Sequence, residues 1–361
     1  MTANTTRAGK LPVFVLSGFL GAGKTSLLNT LLQEGGLERT AVIVNEFGEI
    51  GLDHLFLGQK GDNVIEMSAG CLCCTIRGEL ATTLLDLVPL DIDRIVIETT
   101  GLADPVPVLQ AILADREVGG HFDLAGLITL VDAVNAPATL QGQAEARAQV
   151  ALADAIVFTK ADTLSEEIRD EAINRLTERL RELNPYAPVH LRQDTGKLLQ
   201  LFAGKLVSVA DSKVEVEKTH HHHHHRDVNR HGDNIVATVL RHDRPIPLPA
   251  IEAFLELIAS AHSKRVLRLK GLAAVQQGAA VTPYAVHAVQ GVFHEPEPLQ
   301  AWPDDDHSTR LVAILRDMEP DFIRRLFAGF AGIPQTDTPD RQALTDNPLA
   351  VPGAGGPFRR S

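Results

Sequence analysis

Short apolar runs alternate with helix-like segments throughout the first half of the chain. The runs are rich in β-branched residues and occupy positions 11–17, 40–45, 94–98, 126–132 and 155–159. Runs of this length without regular polar alternation are typical of strands buried on both faces of a parallel sheet. Segments with helical character separate them, at positions 25–34, 78–87, 105–113 and 166–183. The alternation predicts an α/β fold in which helices flank a mostly parallel sheet.

The pattern changes at residue 211. Residues 211–233 are polar, charged and rich in histidine, without an apolar period, which is typical of a linker. The following residues predict a small α+β domain, with strands at 234–240, 265–270, 284–293 and 309–316 and helices at 249–260 and 320–330. From residue 335 the chain is rich in Pro, Gly, Asp and Thr, which predicts disorder. The predicted division is a first domain at 1–210, the linker at 211–233, a second domain at 234–334 and a disordered tail at 335–361.

Length and composition agree with a globular protein of two domains. A chain of 361 residues is too long for one small core, and 44% hydrophobic and 22% charged residues are ordinary values. The net charge of -12 argues against a nucleic-acid partner, because nucleic-acid binders more often present a basic face. No apolar run is long enough to span a bilayer, and the polar N-terminus does not resemble a signal peptide. We therefore expect a cytoplasmic protein without a membrane partner.

The eight residues after the first predicted strand, GFLGAGKT at positions 18–25, match the pattern G-x-x-x-x-G-K-[ST] in full. The motif opens a predicted helix, which is the context that a phosphate-binding loop requires, and it makes the first domain a P-loop NTPase fold. Its glycines let successive backbone N–H groups point at phosphates. The lysine would contact the β- and γ-phosphates, and the threonine hydroxyl would bind Mg²⁺. The predicted phosphate-contacting residues are Gly18, Gly21, Ala22, Gly23, Lys24, Thr25 and Ser26.

A second motif indicates which base is bound. The sequence TKAD at positions 159–162 follows a predicted strand, at the place where GTPases carry [NT]-K-x-D. The Asp162 carboxylate can accept two hydrogen bonds from guanine, and against adenine it would stay unsatisfied at a cost of about 1–3 kcal/mol. Lys160 would pack along the plane of the base. Thr159, Lys160 and Asp162 therefore predict a guanine site, with a surface turn of mixed charge as the alternative.

An acidic residue ends another predicted strand. Glu98 begins the sequence ETTG, where P-loop NTPases hold Mg²⁺ through an acid that is usually aspartate. Gly101 would let its backbone N–H approach the γ-phosphate. Lys24, Thr25 and Glu98 are the predicted catalytic residues. An ordinary strand-end carboxylate is the alternative for Glu98, and Asp132, which ends a further strand, is interpreted as mainly structural.

All three cysteines of the chain, Cys71, Cys73 and Cys74, lie within four residues, so they cannot staple distant segments together. Thiolates are soft ligands that favour Zn²⁺, Cu⁺ or the iron of Fe–S clusters. Tetrahedral zinc needs four ligands, and Glu46 and Glu49, after the second predicted strand, are candidates for the fourth. We assign Glu49 to the predicted metal site. A strained vicinal disulfide and a set of small buried hydrophobic residues are the alternatives.

Six consecutive histidines lie in the predicted linker: His220, His221, His222, His223, His224 and His225. Neutral imidazoles bind Zn²⁺, Ni²⁺, Co²⁺ and Cu²⁺ readily. A run without fixed geometry predicts capture or storage of metal with low selectivity. A passive solvated linker is the alternative.

These motifs together resemble the CobW-type GTPases, a branch of the metallochaperone P-loop GTPases. The matching stretches are GFLGAGKT at 18–25, NEFGEIGLD at 45–53, GCLCC at 70–74, ETTGLADP at 98–105 and TKAD at 159–162. The resemblance implies GTP hydrolysis, binding of zinc or cobalt by the C-x-C-C cysteines, and delivery of metal to a client protein. Some relatives carry a metal-binding acid immediately before the NEFG asparagine, where this chain has Val44.

The combined hypothesis is a GTP-hydrolysing metal chaperone whose metal affinity changes with its nucleotide state. Its ligands are GTP or GDP, Mg²⁺, and Zn²⁺ or Co²⁺. Its partner is a client metalloprotein, and a homo-oligomer is compatible with the sequence. No equivalent of the water-positioning glutamine of signalling GTPases stands out, so slow intrinsic hydrolysis is expected. An ATP-dependent kinase or ligase and a non-catalytic zinc storage protein are the alternatives.

Overall fold

The computed structural model of the chain describes residues 9–46, 64–68, 75–204, 206, 235–278 and 280–332, with backbone only for 45, 46, 64–68 and 75–77. The predicted linker at 211–233 and tail at 335–361 lie outside these residues. The three cysteines, Glu49 and the histidine run lie outside them as well.

Seven parallel strands form the sheet of the first domain, in the order β3-β2-β4-β1-β5-β6-β7. The strands are β1 (Leu11–Gly18), β2 (Thr40–Glu46), β3 (Val64–Ser68), β4 (Arg94–Glu98), β5 (Phe122–Asp132), β6 (Ala155–Thr159) and β7 (Val189–Leu191). The central strands are buried along almost their whole length, as their uninterrupted apolar sequences predict. The expected parallel sheet is confirmed.

Helices cover both faces of this sheet. The helices are α1 (Lys24–Gln33), α2 (Thr75–Asp86), α3 (Val106–Ala114), α4 (Arg116–His121), α5 (Ala136–Gly142), α6 (Ala144–Leu152), α7 (Glu166–Leu183) and α8 (Thr195–Leu201). Alternate residues of β1 enter two different clusters. Val13 and Val15 pack with residues of α2 and α3, and Phe14 and Leu16 pack with residues of α1. Among the helices of the described residues, none has both the length and the apolar content needed to cross a membrane.

Several elements of the first domain were not predicted from the sequence: β3, β7, α4, α5, α6 and α8. β7 has three residues, and α5 and α8 have seven each. Elements this short contain too few residues for a hydrophobic period to stand out. β5 also begins at Phe122, four residues before the predicted strand.

An antiparallel sheet forms the second domain, which confirms the predicted α+β class. Its order is β11-β10-β9-β13-β8, and β12 pairs with β10. The elements are β8 (Ile235–His242), α9 (Leu248–Ala261), β9 (Val266–Gln277), β10 (Ala280–Val289), β11 (Val292–Phe293), β12 (Glu297–Pro298), β13 (Thr309–Arg316) and α10 (Pro320–Phe330). Phe254 of α9 and Phe327 of α10 have ring centroids 5.3 Å apart, so the two helices pack together.

The single strand predicted at 284–293 is wrong. The chain turns between β10 and β11, where Gln290 has φ 39 and Gly291 has φ 85. The two strands then pair antiparallel, with Val289 opposite Val292. The turn was missed because apolar residues continue on both sides of the Gln-Gly pair and hide the interruption.

The two domains share one hydrophobic cluster. Leu267 and Ile314 of the second domain belong to the same cluster as Val13 and Leu109 of the first. Gln110 of α3 also donates from Nε2 to the carbonyl oxygen of Gln290 at 3.0 Å. The second domain is therefore packed on the first through a common core.

Candidate nucleotide site

The predicted nucleotide residues meet at the carboxyl edge of the parallel sheet. β1 ends at Gly18, β4 ends at Glu98 and β6 ends at Thr159, and these strands lie in the order β4-β1-β5-β6. In open α/β sheets, ligands bind at this edge. The topology therefore brings together three motifs that are far apart in the sequence.

The phosphate loop connects β1 to α1. Gly23, directly before α1, has φ 84, a left-handed conformation that glycine adopts without strain. Lys24 begins the helix and is 8% exposed, and its Nζ donates to the carbonyl oxygen of Gly18 at 2.7 Å. The lysine side chain folds back across its own loop, which holds its charge where phosphates would bind.

The segment after β4 packs closely against the phosphate loop. A Cβ on Gly101 would lie 2.6 Å from both the N and the Cα of Leu20, so only glycine fits there. Gln149 of α6 holds the same segment from the other side, since its Nε2 donates to the carbonyl oxygens of Gly101 at 3.2 Å and Ala103 at 3.0 Å. The sequence did not single out Gln149, because no motif marks it.

Thr25 and Glu98 meet where α1 begins and β4 ends. Thr25 Oγ1 donates to Glu98 Oε1 at 2.6 Å, and Glu98 is 5% exposed. Mg²⁺ takes oxygen ligands at about 2.0–2.1 Å in octahedral geometry, so adjacent ligand oxygens are about 3 Å apart. A hydroxyl and a carboxylate that already lie side by side fit neighbouring positions around such an ion. The donor set therefore suits the metal that phosphate loops use.

Two threonines follow Glu98 and differ in their bonding. The backbone N–H of Thr99 donates to the carbonyl oxygen of Leu16 at 3.0 Å, which keeps the segment attached to β1. Thr100 Oγ1 is buried and has no hydrogen-bond partner among the described residues. Buried polar atoms are usually satisfied, so this hydroxyl fits a site completed by a ligand or by water.

The TKxD segment contacts the phosphate loop directly. Thr159 is fully buried, and its Oγ1 donates to the carbonyl oxygen of Ala22 at 2.8 Å. Lys160 has φ 57, and Asp162 follows in a short 3₁₀ turn with its side chain exposed. An exposed carboxylate at this edge of the sheet is accessible to a base whose phosphates occupy the loop.

Asp132 orients the lysine of this motif. Its Oδ2 lies 2.7 Å from Lys160 Nζ, and its Oδ1 accepts from the backbone N–H groups of Val134 at 2.9 Å and Asn135 at 3.1 Å. Burial raises the pKa of Asp132, but the hydrogen bonds from Lys160, Asn135 and Val134 outweigh it and leave the pKa below its ordinary value. A residue interpreted as mainly structural thus fixes a side chain of the base motif.

The predicted metal ligands lie in the sequence between described elements of the first domain. β3 ends at Ser68, which pairs with Glu46 at the end of β2, and α2 begins at Thr75. Cys71, Cys73 and Cys74 belong to the connection from β3 to α2, and Glu49 follows β2. β2 and β3 both end at the edge of the sheet where β1 ends in the phosphate loop. Within the described ranges, no group of three histidine, cysteine, aspartate or glutamate side chains could hold a metal ion.

Two protein-family models match successive parts of the chain. Residues 12–190 match "CobW/HypB/UreG, nucleotide-binding domain". Residues 235–331 match "Cobalamin synthesis protein cobW C-terminal domain". The first match includes the phosphate loop and the TKxD segment, and the second covers nearly all of the antiparallel domain.

Similar proteins align over most of the chain. The zinc chaperone YjiA of Escherichia coli is 30% identical over 325 residues, which are 88% of this chain and 98% of that protein. The zinc chaperone CobW of Pseudomonas aeruginosa is 31% identical over 353 residues, covering 86% of this chain and 88% of that protein. The crystal structure of Zn(II)-bound YjiA GTPase from E. coli matches with a TM-score of 0.57 at 26% identity, over 89% of this chain and 99% of that one. Because both domains match in order, and a relative 30% identical aligns over 88% of the chain, the chain belongs to the CobW/HypB/UreG family.

Proposed function

We propose that this protein hydrolyses GTP and uses the nucleotide cycle to carry zinc or cobalt to a client protein in the cytoplasm. The proposal depends on one observation: Lys24, the Thr25–Glu98 pair and the TKxD segment meet at one edge of the sheet. Similar proteins that are called zinc chaperones, and a similar structure called a GTPase, support it. The client is a protein, rather than a nucleic acid or a membrane.

The phosphate side of the site binds and neutralises the triphosphate. Backbone N–H groups of the loop surround the phosphates, and Lys24 adds its charge to the β- and γ-phosphates. Thr25 and Glu98 hold Mg²⁺, which supplies positive charge to the phosphate oxygens when bound. Gly101 brings its backbone N–H to the γ-phosphate side, where Gln149 keeps the segment in place.

The base side selects guanine. The Asp162 carboxylate accepts from the two donors of the guanine edge, and Lys160, held by Asp132, lies along the base. The bond from Thr159 to the carbonyl oxygen of Ala22 fixes the TKxD segment against the phosphate loop. The base motif and the phosphate loop therefore bind one nucleotide as a unit.

The cargo is held by soft ligands. Cys71, Cys73 and Cys74, with Glu49 as the fourth ligand, form a tetrahedral site for Zn²⁺ or Co²⁺. The six histidines at 220–225 capture metal with low selectivity and supply this site. Three thiolates with one exchangeable position allow transfer to a client more readily than a closed four-thiolate site would.

Nucleotide and cargo influence each other because their loops leave the same sheet edge. The segments after β2 and after β4 contact the γ-phosphate in the GTP state and are released after hydrolysis. This coupling is reciprocal. If the nucleotide changes the affinity for metal by some factor, metal changes the affinity for that nucleotide by the same factor.

The deciding experiment measures GTP turnover by the full chain with and without stoichiometric Zn²⁺ or Co²⁺. We expect slow turnover that metal changes, loss of turnover in Lys24→Ala, and weaker binding of ATP than of GTP. Equal use of ATP with phosphate transfer to a small molecule would support the kinase or ligase alternative. Metal binding without turnover of either nucleotide would support the storage protein.

Two variants separate the sites. Asp162→Asn should gain affinity for xanthosine nucleotides, which present an acceptor where guanine presents a donor. The triple variant Cys71→Ser, Cys73→Ser, Cys74→Ser, made in a chain that lacks the histidine run, should lose tight zinc binding and keep GTP binding. Full zinc affinity in that variant would mean that zinc binds at residues other than these cysteines.

A further inference from the structure

Arg192 lies directly beside the phosphate loop, although it belongs to no motif. It follows β7, and its backbone N–H donates to the carbonyl oxygen of Phe158 at 2.9 Å, which extends the pairing of β7 with β6. Its side chain crosses to α1, where Nη2 donates to Ser26 Oγ at 2.9 Å and to Thr30 Oγ1 at 3.3 Å. Nη1 lies 4.0 Å from the position that a Cβ on Gly23 would occupy. The guanidinium therefore lies along the first two turns of α1.

The partners of this guanidinium are neutral. Ser26 and Thr30 offer hydroxyl oxygens, and no carboxylate of the described residues forms an ion pair with Arg192. Arginine and phosphate frequently form two parallel N–H···O bonds between opposite charges, which a single hydroxyl oxygen cannot offer. A phosphate that reached the first turn of α1 would therefore be a better partner for the planar fork of arginine than the two hydroxyls.

The position of Arg192 indicates which phosphate it would meet. Lys24 serves the β- and γ-phosphates, and Glu98 and Gly101 lie toward the γ-phosphate. Arg192 approaches from the opposite side, next to β6, whose end carries the base motif. Ser26 comes directly after the Mg²⁺-binding threonine. This side of the helix start lies between the base and the β-phosphate, which is where a nucleotide has its α-phosphate.

We propose that Arg192 binds the α-phosphate of the guanine nucleotide. The inference rests on the proposed function, because it needs a nucleotide in the phosphate loop. GTP and GDP share the α-phosphate, and hydrolysis does not change it. Arg192 therefore holds both nucleotides equally tightly and contributes uniform binding rather than stabilisation of the transition state.

The test compares nucleotide affinities of the wild-type full chain with those of Arg192→Gln and Arg192→Lys. In Arg192→Gln, the dissociation constants of GDP and of a non-hydrolysable GTP analogue should both rise by roughly 10- to 100-fold, as expected when a hydrogen bond between charged groups is lost. Arg192→Lys keeps the positive charge but lacks the planar guanidinium with its paired N–H donors, so its loss of nucleotide affinity should be intermediate. At GTP concentrations well below KM, turnover should fall in proportion to the loss of affinity.

Two controls separate this role from a structural one. Arg175→Gln removes an arginine on α7 that is 76% exposed and pairs with Glu171 of the same helix, and it should leave both affinities unchanged. Guanosine, which has no phosphate, should bind wild type and Arg192→Gln with equal affinity in an NMR titration. The melting temperature without nucleotide reports any damage to the fold. If Arg192→Gln does not fold, the affinity comparison is made with Arg192→Lys instead.

Several results would overturn the inference. GDP affinity within about twofold of wild type in Arg192→Gln would exclude a phosphate contact. An equal loss for guanosine would place the contact on the base or ribose, and a loss for the GTP analogue alone would place it on the γ-phosphate. A wild-type protein that binds neither nucleotide would instead overturn the proposed function, together with the inference.

Discussion

The carboxyl edge of the parallel sheet and the interface between the two domains both bury charged side chains, but they balance these charges differently. At the interface, Asp154 is 3% exposed and lies 2.8 Å from Arg268 Nη2 and 2.6 Å from Lys270 Nζ. At the sheet edge, Lys24 donates to a main-chain carbonyl and Glu98 accepts from a threonine hydroxyl. The interface carboxylate thus meets two cations of the protein, whereas these two bonds of the sheet edge go to a main-chain carbonyl and come from a hydroxyl.

The difference follows from what each region must do. A buried charge is costly unless it is paired and hydrogen-bonded, so a permanent interface pairs its charges within the chain. Burial raises the pKa of Asp154, but the attraction of Arg268 and Lys270 outweighs it and leaves the pKa below its ordinary value. At the sheet edge, hydroxyl and carbonyl partners can yield to phosphate and Mg²⁺. A ligand that binds only the folded protein then adds to its stability.

Asp154→Ala should give the largest effect, because it leaves two cations buried without their carboxylate. We expect a loss of about 3–5 kcal/mol in the free energy of unfolding, measured by urea denaturation. Glu171→Ala removes an exposed ion pair on α7 and should stay within about 0.5 kcal/mol of wild type.

A triple variant sharpens this first prediction. Asp154→Leu combined with Arg268→Met and Lys270→Met replaces the charged set with apolar residues and should recover much of the lost stability. A mild effect of Asp154→Ala alone would mean that water enters the interface, and the contrast between the two regions would disappear.

Glu98→Gln tests the sheet edge in the same way. The amide oxygen still accepts from Thr25, so the free energy of unfolding without nucleotide should change by less than about 1 kcal/mol. The lost charge weakens Mg²⁺ binding, and GTP turnover should fall roughly 100- to 1000-fold in a steady-state assay. Glu166→Gln, on the exposed start of α7, is the matched control and should keep full turnover. A loss of stability comparable to that of Asp154→Ala would show that Glu98 is chiefly structural.

The meeting of these motifs at the carboxyl edge of the sheet could be predicted from the sequence, because each motif is a local sequence pattern. The loop motif, the TKxD segment and the strand-end acid each consist of neighbouring residues, and each follows an apolar strand. Their joint position then follows from the parallel topology, since carboxyl ends of parallel strands meet at one edge. The short β7 was missed because three residues show no clear period, and the turn at Gln290 was missed because apolar residues continue on both sides of it.

The interface could not be predicted, because its signals are not local. Asp154 pairs with Arg268 across 114 sequence positions, and nothing near either residue indicates the partner. Gln149 and Arg192 are similar cases, since each acts on a motif from a different element. A lone charged or amide side chain in a sequence is usually exposed, so its burial becomes evident only from the fold.

Thr159→Val should have a smaller effect that reaches both sides of the nucleotide site. Valine has the shape of threonine but leaves the buried carbonyl of Ala22 without its donor, which should cost about 1–2 kcal/mol of unfolding free energy. GDP and GTP should both bind several-fold more weakly by calorimetry, because the link between base motif and loop is lost. Thr82→Val removes an exposed hydroxyl bond within α2 and should change neither quantity. Unchanged affinities in Thr159→Val would show that the two motifs are positioned independently.

Asp132→Asn should give the smallest effect and has a defined pH dependence. The pair of Asp132 with Lys160 is partly exposed, 11% and 40%, so we expect it to be worth less than about 1 kcal/mol. Because the folded-state pKa of Asp132 is lowered, its carboxylate stabilises the fold above the unfolded pKa of about 3.9, and this contribution is lost as the pH falls through the lower folded pKa. The difference in unfolding free energy between wild type and Asp132→Asn should therefore be constant from about pH 7 to 5 and shrink below about pH 4, in urea titrations at several pH values. If the difference disappeared between about pH 7 and 5, another group would control it, and Lys160 would not be held by this carboxylate.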